Sequence, residues 1–467
     1  MNPFRLTASA LFALSLAACA VGPNYKTPGT APAVFHNADP AAFIAANPEA
    51  AWWRQFEDPV LDQLVTRALS SNLDLKVAVA RVAEARALFT DQRLDQLPRV
   101  GVAGGSTQSR QQQPGSGEAR VETESYQLGF DAAWELDLFG RVRRGVEAAG
   151  ADADAARADL RDVQVSVAAE VARNYFELRG AQARLGVARR NLDTQRDTVR
   201  ITQARFDVGG ADPIDILSAK ARLSATESTI PTLITRERQA AYRLAVLVGE
   251  RPGALDDLLT AGEGRSAPFA KALPIGEAGE LLRRRPDIQA AERRLAAQTA
   301  RVGVATADLF PRVRVTGFVG FLAGDLSSLG EGASKAWSVA PSVTWPGLDL
   351  GGARARLRAQ QARGDASLAL YDQTVLRALE DVENALVSYG QRQSQLRSLT
   401  DQAAASRRAA ELARVRYKEG GLDFLVLLDA ERTLLAAEDA VSVAETGVNT
   451  DVAAVYKALG GGWPAAE

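Results

Sequence analysis

The chain repeats its own motifs, and this internal repetition restricts the folds that it can adopt. Three segments of the first half have a counterpart in the second half: 97–100 with 310–313, 136–140 with 348–352, and 205–210 with 416–421. The offset is about 211 to 213 positions in every pair, and chance is a poor account of three matches in one register. The sequence therefore predicts a tandem duplication in which both halves fold into the same order of elements.

Each half contains a predicted helix far longer than those of globular proteins. The first runs from about Arg141 to about Phe206 without a proline, on the order of 95 Å at 1.5 Å per residue, and the second from about Ala353 to about Tyr417. Apolar residues recur in both at steps of four and three, which is typical of a coiled-coil seam. The seam residues are Val142, Val146, Ala149, Ala153, Ala156, Leu160, Val163 and Val167, then Leu368, Tyr371, Val375, Ala378, Val382, Ala385 and Tyr389. On the helices alone, an ordinary coiled-coil rod is an equal alternative.

Between the helices, apolar and polar residues alternate with the period of a β-strand. A strand is predicted over 126–138, with one apolar, aromatic face and one acidic face. Its length suits a tilted membrane strand of about 9–11 residues with its interfacial ends. Because the other face is apolar, we expect Asp131, Glu135 and Asp137 to line a water-filled lumen.

Three further strands complete two predicted hairpins, at about 99–138 and about 312–346. Trp337 and Trp345 lie at the two ends of an apolar strand face, an arrangement that resembles the aromatic girdles of membrane barrels. The polar segments 111–117 and 327–332 are predicted to be the outward-facing loops. Four strands cannot close a membrane barrel, since about eight is the minimum, so several chains must share one barrel, and three chains would supply twelve strands.

The N-terminal residues 1–18 have the pattern of a secretory leader: Arg5, an apolar run and small residues before Cys19. The end of this leader resembles a bacterial lipobox, so Cys19 is predicted to become the first mature residue and to carry acyl chains. Several acyl chains anchor a protein stably in a membrane. Ala20 follows the cysteine, and by resemblance to enteric lipoproteins it favours the outer membrane.

The composition excludes several other classes of protein. The net charge of −2 gives no basic surface for nucleic acid, and one Cys with one His (His36) supports neither a disulfide framework nor a zinc site. No nucleotide-binding loop of the Walker type is recognisable. We therefore predict no cofactor, no metal and no enzymatic activity. Reading Asp131, Glu135 and Asp137 as catalytic is the weaker alternative, because no nucleophile or base accompanies them.

Five segments resemble signatures of the outer-membrane factors of the TolC/OprM type, within the NodT-like lipoprotein subgroup that serves resistance-nodulation-division (RND) efflux pumps. They are 19–25 (CAVGPNY), 52–59 (WWRQFEDP), 284–288 (RRPDI), 427–432 (LLDAER) and 456–463 (YKALGGGW). The resemblance implies a homotrimer in which a twelve-stranded β-barrel in the outer membrane continues into a twelve-helix barrel in the periplasm. It implies a periplasmic adaptor (membrane fusion) protein and an inner-membrane RND pump as partners. Small molecules would then be exported from the periplasm to the exterior.

The same resemblance points to a periplasmic gate. Gly209-Gly210 and Gly420-Gly421 are predicted to end the long helices. Beyond the second turn, Leu425, Asp429 and Arg432 fall on one helix face, and the resemblance places the first two at the family's constriction. In the first half, Ser218 matches Asp429, so Asp212 and Asp215 are the less certain candidates there. An ordinary solvated Asp–Arg pair is the alternative.

The sequence also predicts domain boundaries. These are a leader (1–18), an anchor and belt segment (19–60), a first repeat (61–248), a linker within the belt (249–280), a second repeat (281–459) and a C-terminal belt segment (460–467). Two alternatives to an efflux channel remain: the outer-membrane conduit of a type I protein secretion system, and a periplasmic scaffold lipoprotein that forms no channel.

Overall fold

The structure, a computed structural model, describes residues 20–29, 34–112, 120–260, 267–347 and 350–461. The predicted leader with Cys19, loop residues 113–117 and C-terminal residues 462–467 lie outside this description. The chain forms two compact units, the first within 1–29, 80–157 and 289–373, and the second within 30–79, 158–288 and 374–467. In the described part of the chain, no helix has an apolar stretch long enough to cross a membrane.

The first half follows the predicted order, but its shorter helices are divided. Its elements are β1 (Phe43–Ile44), a 3₁₀ turn (Trp52–Phe56), α1 (Pro59–Ser71), α2 (Leu73–Leu94), β2 (Arg99–Gln112), β3 (Arg120–Leu136), α3 (Arg141–Asp207), α4 (Pro213–Glu227) and α5 (Thr229–Leu247). The break between α1 and α2 is stabilised by Asn72, whose side-chain oxygen accepts hydrogen bonds from the backbone N–H groups of Asp74 and Leu75. The predicted long helix is confirmed as α3.

The second half has the same order of strands and long helix. Its elements, after the short helix α6 (Asp256–Thr260) and strand β4 (Leu273–Pro274), are α7 (Ala278–Arg284), α8 (Pro286–Ala307), β5 (Arg312–Ala323), two 3₁₀ turns (Leu326–Ser328 and Gly332–Ser334), β6 (Lys335–Thr344), α9 (Leu350–Lys418) and α10 (Phe424–Ala458). The predicted second long helix is confirmed as α9. Of its predicted seam, Tyr371 and Tyr389 are buried, whereas Leu368 is exposed.

The first unit contains a four-stranded antiparallel sheet in the order β2-β3-β5-β6. The duplicated hairpins therefore meet through β3 and β5, where Phe130 pairs with Val319. The strand predicted over 126–138 is longer at one end and shorter at the other, since β3 ends at Leu136. In this unit, β2 and β6 are the edge strands of the sheet, so each leaves one row of backbone groups open to another chain.

The second unit has an aromatic core and a small parallel sheet. Trp52 is fully buried and stacks on Tyr456, with ring centroids 5.1 Å apart. Phe56 packs against Phe176 at 4.6 Å. β1 and β4 pair in parallel, with Phe43 opposite Leu273. Burying aromatic rings of this size stabilises the unit by far more than its helix propensities do.

The glycine turns end the long helices as predicted. Gly209 and Gly420 have φ angles of 76° and 83°, in the left-handed region that glycine enters without strain. After α3, the N–H groups of Gly209 and Gly210 donate to the carbonyl oxygens of Phe206 and Arg205, at 2.9 and 2.7 Å. After α9, Gly420 and Gly421 make the equivalent bonds. This is the Schellman arrangement, which satisfies the last carbonyls of each helix.

Candidate functional site

The sheet register gathers most of the apolar residues of β3, β5 and β6 on one face. Leu128 pairs with Phe321, Phe130 with Val319, and Trp134 with Val315. On the next strand, Trp337 pairs with Val319 and Val339 with Gly317. Directly paired residues point to the same side of a sheet, so these side chains form one continuous surface. Phe130 is 56% exposed and Trp337 is 78% exposed. An apolar surface this extended marks contact with a membrane or another protein.

The opposite face carries the predicted lumen residues. In the strand register, Asp131 lies opposite Phe318, and Glu135 lies opposite Arg314. Glu135 also accepts two hydrogen bonds from the guanidinium of Arg141, at 2.6 and 2.8 Å. Asp131 and Glu135 thus share the polar face of β3, as the alternation predicts. No single-sequence signal pointed to Phe318, whose ring covers Gly129 so closely that a Cβ there would lie 2.6 Å from it.

Asp137 lies one residue beyond β3, and its carboxylate is used locally. It accepts hydrogen bonds from the backbone N–H groups of Val142 and Arg143, at 3.0 and 2.8 Å. The Arg143 side chain forms an ion pair with it at 3.1 Å. These contacts satisfy donors in the first turn of α3 and place a negative charge at the positive end of the helix. Asp137 therefore stabilises the strand-to-helix junction.

Two tryptophans occupy equivalent places in the two halves. Trp134 Nε1 donates to the backbone oxygen of Gln96, and Trp345 Nε1 donates to that of Leu309, both at 3.0 Å. The acceptors shortly precede β2 and β5 respectively. Each ring keeps its apolar body exposed while its polar N–H is satisfied, which is the arrangement that tryptophan adopts at membrane–water boundaries.

The first described residues are fastened to this same junction. The N–H of Val21 donates to the carbonyl oxygen of Phe139 at 3.1 Å. Arg144, which is buried, donates to the side chain of Asn24 at 2.5 Å. A Cβ at Gly140 would lie 2.7 Å from Ala20, so the chain beside Cys19 is held closely. The sequence did not reveal this role of Arg144, because Asn24 lies 120 residues away in the chain.

The predicted gate residues come together at the start of α10. Asp423 begins the helix by accepting a hydrogen bond from the N–H of Leu425 at 2.8 Å. Leu425 is 62% exposed. One turn further on, Arg432 donates to Asp429 at 2.7 Å, and both side chains are largely exposed. An exposed pair of this kind contributes only about 0.2–1 kcal/mol to stability, so folding of one chain gives little reason for it.

Beside this exposed pair lies a buried carboxylate that sequence reasoning missed. Glu431 is 4% exposed and accepts hydrogen bonds from Thr198 of α3 and Arg414 of α9, both at 2.9 Å. It therefore ties the start of α10 to both long helices. Burial, and then the nearby charge of Arg432, lower the pKa of Arg222 on α4. Arg432 therefore lies near one carboxylate, that of Asp429, and one guanidinium, that of Arg222.

The candidates in the first hairpin have a different setting. Asp212 accepts a hydrogen bond from the N–H of Ile214, and Asp215 accepts one from the N–H of Asp212. Together they form a capping box that begins α4. Their oxygens are engaged in the turn, while Ile214 and Leu217 are about two-thirds exposed. Ile214 is the repeat counterpart of Leu425, a match that the internal repeat could have revealed.

The RRPDI segment proves to fasten helix ends in the second unit. Arg285 is buried and pairs with Asp287 at 2.7 Å and with Asp381 at 3.1 Å. It also donates to the carbonyl oxygen of Ala458 at 2.8 Å, which lies in the last turn of α10. This motif therefore has a structural reason to exist. Within the described ranges, no three His, Cys, Asp or Glu side chains are placed to hold a metal ion.

The sheet has an exposed apolar face and a polar opposite face, and the two very long helices turn at glycine pairs. These features together are those of a membrane channel subunit. The family model described as "Outer membrane efflux protein" matches residues 64–250 and 278–461. The chain belongs to this family. The two matched stretches leave out residues 251–277, which contain α6 and β4.

Relatives and solved structures agree with this assignment. The chain is 32% identical to Nodulation protein T of Rhizobium leguminosarum bv. trifolii over 429 residues, which cover 91% of this chain and 90% of that protein. It is 32% identical to the toluene efflux pump outer membrane protein TtgC of Pseudomonas putida over 469 residues, covering 98% and 96%. The solved outer-membrane channel OprN superposes with a TM-score of 0.92 at 50% identity, covering 95% of this chain and all of that one.

These findings confirm the predicted family, fold class and general function. The protein is an outer-membrane channel subunit for tripartite efflux, and it extends into the periplasm. The predicted fold class, a trimeric membrane β-barrel continuous with a helical periplasmic barrel, is that of the solved channels. The family is one of channels and not of enzymes. The individual gate, lumen and lipidation residues stay predictions.

Proposed function

We propose that three copies of this chain carry small toxic molecules, drugs among them, from the periplasm to the cell exterior through a tunnel that closes at its periplasmic end. A periplasmic adaptor and an inner-membrane RND pump supply recognition and energy. The name of the relative TtgC, a toluene efflux protein, supports small molecules over the proteins of a type I secretion system as cargo. The polar face with Asp131 and Glu135 lines the barrel lumen in this proposal.

The gate proposal rests on the exposed face of α10 that carries Leu425, Asp429 and Arg432. Threefold symmetry turns each of these residues into a ring. Leu425 provides an apolar constriction, and Asp429 provides a carboxylate ring that Arg432 neutralises within or between chains. Glu431 supports the proposal because it fixes the direction of this face from a buried position.

The test uses a triple variant in which Leu425 and Arg432 are replaced with Ala and Asp429 is replaced with Ser. We expect the closed-state conductance in planar bilayers to rise several-fold and large antibiotics to enter cells, because the constriction loses both its apolar and its charged rings. A matched control replaces Leu412 and Arg200 with Ala and Asp197 with Ser, which removes an exposed leucine and an exposed ion pair of the same i,i+3 spacing. Intact trimers of the triple variant that conduct like the parent and the control would place the gate elsewhere.

The proposal includes an acyl anchor at Cys19. Its support is the neighbouring segment, because Ala20 and Val21 are held against the junction of β3 and α3. That junction lies beside Trp134, where a lipid chain could enter the apolar layer. Cys19→Ser should abolish labelling with a palmitate analogue and change leader processing, while Cys19→Ala serves as the second variant. Unchanged labelling of either variant contradicts the anchor.

A further inference from the structure

Three exposed arginines near the start of α9 stand out because no carboxylate among the described residues pairs with them. Arg354, Arg356 and Arg358 form no hydrogen bond and no ion pair with any residue in the described part of the chain. Arg354 and Arg358 are one turn apart on one helix face, and Arg356 lies on the other side. An isolated pair of like charges at this spacing is mildly destabilising, so a partner outside the chain would explain it better than folding does.

The first half provides a comparison for this cluster. At the start of α3, each of Arg141, Arg143 and Arg144 has a carboxylate partner in the chain: Glu135, Asp137 and Glu147 respectively. The repeat offset of 212, from 136 to 348, places Gly347 opposite Glu135 and Ala359 opposite Glu147. The second half therefore also begins its long helix with three arginines, but its sequence lacks two of the three carboxylates that neutralise the first cluster.

The position of the arginines identifies the kind of partner. α9 begins six residues after β6 ends. Two exposed residues, Val343 in β6 and Trp345 just after it, mark the end of the apolar sheet face. Arg354 and Arg358 lie about 6 and 12 Å along the helix from its first residue. The polar headgroup layer of a bilayer is about 5–8 Å thick on each side, and arginine side chains extend far enough to reach it.

We infer that Arg354 and Arg358 bind the phosphate of an anionic phospholipid in the inner leaflet of the outer membrane. A guanidinium donates paired hydrogen bonds to phosphate oxygens, and two guanidinium groups one turn apart can hold one phosphodiester from two sides. The inference rests on the family's location in the outer membrane. It is independent of the gate, so the two can fail separately.

The experiment uses the purified full-length trimer in detergent. Native mass spectrometry measures how many phosphatidylglycerol molecules the trimer retains, with phosphatidylcholine as the neutral lipid and inorganic phosphate as the free anion. For the parent, we expect retention of phosphatidylglycerol in preference to phosphatidylcholine. The R354Q/R358Q variant should lose apparent affinity by about 30-fold, and the difference should shrink as salt is raised.

The matched control is R377Q/R397Q, which removes two exposed arginines much further along the same helix. It should retain the lipid like the parent. Three results would overturn the inference: equal retention by R354Q/R358Q and the parent, equal retention of the neutral lipid by the parent, or an equal loss in the control. Displacement of the lipid by millimolar inorganic phosphate would identify a free-anion site in place of a headgroup site. A loss of trimers by R354Q/R358Q in lipid-free detergent would instead assign the arginines to carboxylates of another chain.

Discussion

The two helical hairpins of this chain share their turns and differ in their faces. Both end the long helix at a glycine pair and begin the return helix with an aspartate cap, Asp212 in the first and Asp423 in the second. The second hairpin then presents an exposed Asp–Arg pair, whereas Ser218 replaces Asp429 in the first. Backbone geometry requires the same residues in both turns, but nothing requires the same exposed faces. This difference is the reason that the proposed gate uses the second hairpin.

The return helices also differ in continuity. α10 is unbroken over 35 residues, whereas the first return helix divides at Ser228 into α4 and α5. Pro231 accounts for the break, because proline has no N–H to donate to the carbonyl of residue 227 and its ring clashes there. The counterpart of Pro231 in α10 is Ser442, whose hydroxyl donates to the carbonyl oxygen of Glu438 at 3.1 Å. The second return helix therefore stays continuous at the position where the first one breaks.

The largest expected effect concerns the close contact between α3 and α10. A Cβ at Gly180 would lie 2.2 Å from Thr446 Oγ1 and 3.0 Å from its Cβ, so no rotation of the threonine makes room. Gly180→Ala should destabilise the trimer by about 1–3 kcal/mol, measured as a lower midpoint of thermal unfolding. Thr446→Ala in the same chain should restore part of the loss.

Gly390 of α9 is the matched control, since a Cβ at this position would have no neighbouring atom within 4 Å. Gly390→Ala should be neutral or stabilising by up to about 1 kcal/mol, because alanine is the better helix former. Thr235 of α5, the counterpart of Thr446, is exposed, so the first return helix has no such contact at that position. If Gly180→Ala and Gly390→Ala had equal thermal midpoints, the contact between Gly180 and Thr446 would not hold α10 more tightly than α5 is held.

A smaller effect is expected at Glu431. Its counterpart in the first hairpin is Lys220, which is exposed. Glu431→Ala leaves Arg414 and Thr198 without their shared acceptor and should cost about 2 kcal/mol in the free energy of unfolding. Lys220→Ala should change it by no more than about 0.5 kcal/mol. Denaturant titration of the two variants measures the difference, and equal midpoints would show that the buried carboxylate does not distinguish the hairpins.

The long helices and strands could be predicted because their signals are local. The heptad spacing and the absence of proline gave α3, and the alternation from Tyr126 gave β3. The end of β3 could not be predicted, because the alternation continues through Leu138. The N–H groups that begin α3 need an acceptor, and Asp137 leaves the strand to supply it. The alternation of apolar and polar residues thus fails to predict the end of β3, because hydrogen bonds to the start of α3 end the strand there.

The supporting residues of the gate and the anchor segment could not be predicted, because their partners are distant in the sequence. Glu431 reads as an ordinary polar residue beside Arg432 until the fold places Thr198 against it. Arg144 likewise reads as one of several arginines until Asn24 and Gly22 surround it. Asp212 and Asp215 carried a signal with two meanings, since acidic residues after a turn suit both a pore and a helix cap.

The smallest expected effect is a dependence of stability on pH at Asp162 of α3. Burial is the main cause of the raised pKa of this carboxyl. The negative charges of Asp287 and Asp159 raise the pKa further, whereas the positive charges of Arg285 and Lys457 lower it. A carboxyl with a raised pKa in the folded state destabilises the fold when ionised. Its penalty is present at pH 7 and disappears as the pH falls through the folded pKa towards the unfolded value near 4.

The test replaces Asp162 with Thr, the residue at its repeat counterpart, position 374, and with Asn as the closer isostere. At pH 7 the thermal midpoint should rise by no more than about 2 °C in either variant, because the ionised group is gone. The gain should shrink on acidification, since the parent then becomes protonated as well. Asp193 of α3, which is exposed, is the control position, and Asp193→Asn should show no such gain. A gain at Asp162 that stays constant down to pH 4 would mean that packing, and not charge, separates the two halves at this position.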